Sequence, residues 1–443
     1  MSTLAKPLLA RLGEPWLALN RHLTFHVLKM RLGKHALRSQ YVPDPESMLY
    51  VAASALPYHT SGYTTRTHEV VRALGAAGAK VHAMTRPGYP WDRKDRQLDA
   101  TDDVTVVDGV SYQHSSRPWN NRPTLHYALQ AAAAIADYAR RGRVAVIHAA
   151  SNHVNALPAL LAARRLGIPF QYEMRGLWEL TRISRTPNYE GSQAYRQGLQ
   201  LEGLVASHAD RLFVISEQLG KFARENWGVA ADRMALLPNC VNPERFVSSE
   251  SEDVEPRTVG YAGTLIGYEG LDTLIDAVDM LVRNGAPVNV ILIGDGEARR
   301  QLEAQVHRLG LETHIRFAGK VPPDAVHRML QRCAVICIPR KPFKVCTIVP
   351  PIKLVEALAM GKPVIAPDLP VFRDEMGPTP AGWFFKSGDS SDLARVIDAA
   401  MADFEALRPL GERAREYAAT KRNWRDFVVK ALPATSRGGQ HGW

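Results

Sequence analysis

Apolar and polar positions alternate along this chain in two rhythms. From Met48, the short apolar run MLYVAAS is followed by the polar, glycine-bearing LPYHTSGY. Then comes TTRTHEVVRALGAAG, whose apolar positions recur at helical spacing up to a glycine stop. KVHAMT, VAVIHAA, IPFQYEM and RLFVIS repeat the short apolar run, and HVNALPALLAARRLG, which also ends at glycine, repeats the helical one. After LLPNCVNPERF and the acidic stretch SSESEDVEP the alternation restarts. RTVGYAG, VNVILIGDG, HIRFAGKV, AVICIP and PVIAPD predict strands, separated by helical LDTLIDAVDMLVRNG, ARRQLEAQVHRLGL, DAVHRMLQRC and the helix inside PPIKLVEALAMGKPVIAPD. Short apolar strands alternating with helices predict an α/β chain whose parallel sheets are covered on both faces. The restart predicts two doubly wound halves, 47–243 and 244–422, preceded by an extension over 1–46 and followed by a helix and tail over 423–443.

The extension differs from the rest. It sets Leu, Trp and Phe beside Arg11, Arg21, Lys29, Arg31, Lys34 and Arg38 with almost no acid, a pattern that predicts basic amphipathic helices able to lie on an anionic membrane surface. A helical extension packed on the main body is the alternative. The whole chain is basic too, with 55 Lys plus Arg against 45 Asp plus Glu, which favours anionic partners. Nucleic acid is not among those expected, because no known RNA- or DNA-binding module is present and the basic residues do not interleave with aromatics. Four cysteines, none at zinc-like spacing, predict free thiols in a reducing compartment. No apolar run of transmembrane length and no signal peptide is visible, so the expected location is cytoplasmic, with the inner face of the membrane as its extension.

Two stretches carry chemistry. VILIGDGEARRQLE ends a strand in Gly-Asp-Gly at a helix start, where glycine lets backbone approach a ligand and the helix N-terminus attracts phosphate. PRKPFKVCTIVPPIKLVEALAMGKPVIAPD places one acid, Glu356, among the apolar Leu354, Ala357, Leu358 and Met360, and an unpaired acid there would be costly. The order strand–IGDG–helix, strand–AG–V, helix, strand–P, then P-x-K-x-x-EALA-x-GKPVIA, resembles the C-terminal half of GT-B glycosyltransferases of the retaining GT4-like, group 1 family. In the first half, Ser61-Gly62, LPALLAARRLGIPFQYEMRG and ISEQLGKFARENWGV followed by LPNCVNPERF agree, so the resemblance spans about residues 48–430.

That resemblance implies a GT-B fold, with two Rossmann-like domains facing each other across a cleft, the first on the acceptor side and the second holding the donor. It implies a nucleotide-diphosphate sugar as donor substrate, with no cofactor or metal required, and a saccharide or lipid-linked acceptor. Glu356 would accept hydrogen bonds from the ribose hydroxyls. Lys353, Arg340, Lys341 and Lys344 would surround the diphosphate. Gly62, Gly263 and Gly294 would let backbone approach the donor. His153, after VAVIHAA, is the acceptor-side candidate, and Arg175 stands where many members carry the His of a His-Gly pair. Those two are the candidate catalytic residues.

Three departures from the family pattern stand out. Ile348 occupies the position of the first Glu in the usual Glu-x7-Glu pair, which contacts the donor sugar. In GTLIGYEG, Thr264 and Glu269 replace the Arg and Lys that bind the diphosphate in the usual G-R-L-x-x-x-K-G. Arg175 replaces the His and cannot act as a base, since it stays protonated. An active retaining transferase acting in cell-surface polysaccharide or glycolipid synthesis is the reading these residues favour. A nucleotide-sugar-binding scaffold without catalysis, or a GT-B nucleotide-sugar epimerase, are the alternatives.

Overall fold

A computed structural model describes residues 19–20, 22–32, 41–100, 102–121, 123–242 and 254–433. Arg11, Arg21, Lys34, Arg38, most of the acidic connector and the final ten residues lie outside that set. The chain divides into two compact units. One runs to Ile215 and takes in Leu219–Leu237 and the chain from Arg425; the other comprises Ser216–Gln218 and Pro238–Trp424.

The first unit is built on eight strands: β1 (Asp44–Ala52), β2 (Lys80–Thr85), β3 (Val104–Val107), β4 (Val110–Gln113), β5 (Val144–Ala150), β6 (Phe170–Met174), β7 (Arg211–Val214) and β8 (Met234–Leu236). Their order across the sheet is β3-β4-β2-β1-β5-β6-β7-β8, and every neighbouring pair is parallel except β3–β4. That hairpin turns on Asp108-Gly109, both at positive φ (47° and 79°), as a two-residue hairpin turn of this kind requires. The inner strands are buried along nearly their whole length, β6 entirely so although it carries Gln171 and Glu173.

The second unit holds β9 (Glu255–Ala262), β10 (Asn289–Ile293), β11 (Ile315–Gly319), β12 (Cys333–Cys337), β13 (Val364–Pro367) and β14 (Gly382–Phe385). All are parallel, in the order β11-β10-β9-β12-β13-β14. Helix Leu271–Arg283 turns Leu274, Ile275, Val278 and Leu281 onto the core formed by Val259, Val290, Leu292 and Val335. Each such buried side chain contributes about 1.5–3 kcal/mol of transfer free energy.

Strand order reverses between β1 and β5 in the first unit and between β9 and β12 in the second. In open α/β sheets, ligands bind outside the carboxyl ends of the strands at such reversals. The helix expected from 423 is short: helix Leu407–Lys421 ends, and a five-residue helix restarts at Trp424. The break falls where Asn423 bridges to Val241 and the Arg422 carbonyl accepts from the Val241 N–H at 2.9 Å. Long-range pairing there outweighs local helical preference. Among the described residues no helix is long and apolar enough to cross a membrane.

Candidate active site

In the second unit, every residue expected to touch a donor lies beyond the carboxyl end of β9, β10 or β12. β9 runs out into Gly263 and β10 into Gly294, and here the two glycines serve packing. A Cβ on Gly294 would sit 1.9 Å from the Gly263 carbonyl oxygen, and φ there is +132°. The Gly263 N–H donates to Ile293 O at 2.9 Å and that of Gly294 to Gly319 O at 2.8 Å, so the strand ends are stitched backbone to backbone. At Gly263, with φ +151°, a Cβ would come within 2.5 Å of the Lys353 Nζ.

That ammonium belongs to a buried cluster. Glu269, 3% exposed, follows β9. Its Oε1 accepts from Arg340 Nε (3.1 Å) and Nη2 (2.9 Å), and its Oε2 from Lys353 Nζ (2.9 Å). Lys353 also donates to the Tyr261 hydroxyl at 2.7 Å and lies over that ring, while the hydroxyl donates to Thr264 O. Arg340 Nη1 donates to Val349 O at 3.0 Å. Burial alone would raise the Glu269 carboxyl, but the Arg340 and Lys353 charges override it and hold it down at about 2. Burial pulls the Lys353 ammonium below its usual range, against the opposing effect of Glu269.

The remaining candidates are disposed around this cluster. Glu356 lies three residues beyond Lys353 on helix Ile352–Ala359 and is half-buried, a spacing that places both side chains on one helical face. Lys341 pairs with Asp272. Lys344 is exposed at the start of the short helix Lys344–Ile348. Ile348 is buried, and its carbonyl accepts from Ser216 Oγ. The lysine of GKPV is structural: Lys362 Nζ donates to the Gln331 and Cys333 carbonyls, and burial lowers its pKa to about 8.

In the first unit the corresponding feature is Glu173, 1% exposed at the end of β6. Arg66, on helix Gly62–Ala76, donates to its Oε1 from Nε (3.0 Å) and Nη2 (2.8 Å). Arg175 donates from Nε to Oε1 (2.9 Å) and from Nη2 to Oε2 (3.0 Å), while Tyr50 donates to Oε2 at 2.7 Å. Burial alone would raise this carboxyl; the two guanidiniums hold it well below the carboxylate range. Arg175 also donates to Tyr63 O (3.1 Å), Thr67 Oγ1 (2.8 Å) and the Tyr50 hydroxyl. All five of its N–H donors are engaged, which gives Arg175 the geometry of a clamp between β6, β1 and the Gly62 helix. Gly62 itself is the exposed first residue of that helix, behind Ser61, whose side chain and that of Thr64 form a capping box.

His153 opens helix His153–Leu166 beyond β5. Glu202 Oε2 accepts from its backbone N–H (2.9 Å) and lies 3.1 Å from Nδ1. Burial disfavours the charged ring, but the bond to Glu202 outweighs it and raises the imidazole above its usual value. Trp178, three residues past Arg175, is 69% exposed. The hubs Glu173, Glu202 and Glu269 escaped sequence reasoning as a group. The available signal was an acid within or just after an apolar strand or a helix, repeated at three places.

Residues 61–240 match the family described as Glycosyl transferase 4-like domain, and residues 243–417 match Glycosyl transferases group 1. Among curated proteins, the phosphatidyl-myo-inositol mannosyltransferase of Mycobacterium leprae is 30% identical over 193 residues, 42% of this chain and 49% of that protein. The chain spans about half the length, or less, of the first curated relatives it matches. Among solved structures, sucrose-phosphate synthase from Thermosynechococcus elongatus superposes with a TM-score of 0.69 at 18% identity, covering 87% of this chain and 97% of that one. Anabaena HepE, solved in complex with UDP, gives 0.66 at 17% identity, covering 87% and 98%. At such identities the likeness shows the fold, two Rossmann-like α/β domains of GT-B type.

Proposed function

Because the chain belongs to the GT4-like, group 1 glycosyltransferases, we propose that it moves a sugar, with retention, from a nucleotide-diphosphate sugar to a saccharide or lipid-linked glycan acceptor. The observation that carries this reading is the placing of Lys353 and Arg340 beyond the carboxyl ends of β9 and β12, at the reversal of strand order. Leaving-group departure concentrates charge on the diphosphate. Preorganised cations in a buried setting stabilise that charge without reorganising at the moment of reaction. Glu356 accepts from the ribose hydroxyls, Lys344 adds positive charge at the rim, where the charge of Lys341 is met by Asp272, and the stitched Gly263 and Gly294 turns let the nucleotide approach backbone. His153, held by Glu202, faces the acceptor. Arg175 acts through Glu173 and the Gly62 helix as a positioning residue.

A panel of nucleotide sugars tested for thermal stabilisation, followed by product analysis with the donor that stabilises most, tests the reading. A ligand bound only by the native state raises apparent stability. Stabilisation by a nucleoside diphosphate without turnover on any saccharide or lipid-linked acceptor would favour the scaffold alternative, which buried Ile348 at the usual sugar-contacting position supports. No stabilisation by any nucleotide would sink both.

A surface-glycan or glycolipid acceptor fits an enzyme that touches the membrane peripherally. Along the helical residues 19–20 and 22–32, Leu19, Leu23 and Met30 are 52%, 50% and 63% exposed, share one face, and are flanked by exposed Lys29 and Arg31. Co-sedimentation with vesicles containing phosphatidylglycerol, lost in a Leu23→Glu/Met30→Glu variant, is the expected result. Equal binding to neutral vesicles would remove the preference for anionic lipid, and no binding would remove the membrane contact.

A further inference from the structure

We propose that Glu269 is a positioning residue of the donor site: it gathers Lys353 and Arg340 into one cationic cluster, so that this chain supplies the diphosphate's countercharge from the elements after β12. The inference rests on reading Lys353 as a diphosphate ligand. In the pattern this chain resembles, a lysine occupies position 269 and an arginine position 264. An acid and a threonine in their places would, on sequence alone, repel the donor.

The geometry inverts that conclusion. Both Glu269 oxygens are engaged by cations and the residue is 3% exposed, so the carboxylate does not confront an incoming anion. The Lys353 side chain is 17% exposed against 4% for that of Glu269, so the cation reaches the surface and the acid stays beneath it. Glu356, three residues along the same helix, is a second carboxylate bearing on Lys353, while Glu269 is hydrogen-bonded to both cations.

The donors point the same way. An ammonium has three N–H groups. Lys353 uses two, on Glu269 and Tyr261, which leaves the third without a protein partner among the described residues. Nζ packs against Gly263, where position 263 carries no side chain; a Cβ there would lie 2.5 Å away. Glycine at 263 and acid at 269 therefore serve the same lysine, one by leaving room and the other by holding it. Thr264, in place of the usual arginine, contributes its carbonyl to the same chain of bonds through Tyr261.

Binding of UDP to the full chain, measured by calorimetry between pH 7 and 9.5, tests this. In wild type, affinity falls only toward the alkaline end, as Lys353 loses its proton. Glu269→Gln removes the negative charge that keeps the buried ammonium protonated. UDP should then bind at least tenfold more weakly at pH 7.5, with the alkaline loss displaced to lower pH. Glu269→Asp, whose shorter side chain cannot span both cations, should weaken binding at least threefold with a smaller displacement, and serves if Glu269→Gln does not fold. Wild-type affinity and pH profile in either variant, folded by its melting curve, overturns the proposal. Lys353→Met separates the two layers. If it weakens UDP binding while the Glu269 variants do not, only the positioning role fails. If it leaves UDP binding intact, the donor-site reading itself fails.

Discussion

Lys353 Nζ lies 2.9 Å from Glu269 Oε2, although the two residues are 84 positions apart and the acid stands where the related pattern has a base. β9 carries Glu269 out on its following turn, and the helix after β12 carries Lys353 back over the same strand end. Because β9 and β12 are neighbours, a change of charge sign on one connection is answered by a cation on the other. The cluster is thus a property of adjacent strand ends.

Acid should weaken the fold in a defined window. Glu269 is held at about 2, against a usual 4.5. Its folded pKa is the lower one, so its contribution is fully present above 4.5 and is lost as pH falls from there toward 2, an amount on the order of 3 kcal/mol. His114 acts earlier: burial between Thr85 and Thr105 lowers it to about 4. The unfolded chain therefore binds more protons between 6.5 and 4, and stability falls as pH drops through that range. Urea unfolding across pH 7 to 3 should show both losses, and Glu269→Gln should reduce the lower one, to which Glu173 also contributes.

Glu356→Ala should weaken binding of the nucleoside diphosphate that stabilises the chain most by about 1–3 kcal/mol, the cost of a lost charged hydrogen bond, with little change in melting temperature because the side chain is half-buried. Calorimetry with that nucleotide checks this, and unchanged affinity removes Glu356 from the site.

Arg175→Ala should behave first as a stability variant. Glu173 would lose a bidentate partner at 1% exposure, and removing one member of a buried pair costs about 3–5 kcal/mol. Arg175→Lys should recover little, since one ammonium cannot reproduce five donors in a plane. Denaturant midpoints decide this; a fully stable Arg175→Ala protein contradicts the clamp.

Gly294→Ala should disrupt the turn after β10. Its Cβ would lie 1.9 Å from a backbone oxygen at a φ of +132°, so neither rotation nor a rotamer change relieves the contact. A lower melting temperature accompanied by weaker UDP binding is expected. Wild-type values for both would show that the strand ends separate easily.

Much of the fold was legible in the residues. Apolar runs such as VAVIHAA and AVICIP specify buried parallel strands, and the glycines after Leu166 and Leu309 mark helix ends, where the structure places left-handed caps. The β3–β4 hairpin was also written in the chain, as Asp-Gly between VTVV and VSYQ, although alternation alone passed over it. The helical break before Trp424 was not legible, because its cause, Val241, lies 182 positions upstream.

The sequence by itself determined the strand–helix alternation, its restart, and the placing of Gly62, His153, Gly263, Gly294, Arg340 and Lys353 at strand ends or helix starts, because periodicity and stop signals act within a few residues. Only the tertiary structure decided what each charge does. Arg175 has its donors consumed by Glu173 and its neighbours, Lys362 is a carbonyl tether, and Glu269 is the hub of a cationic cluster. Local sequence records that a residue is charged. Burial and the partner brought from a distant strand set whether that charge is spent inside the protein or offered to a ligand.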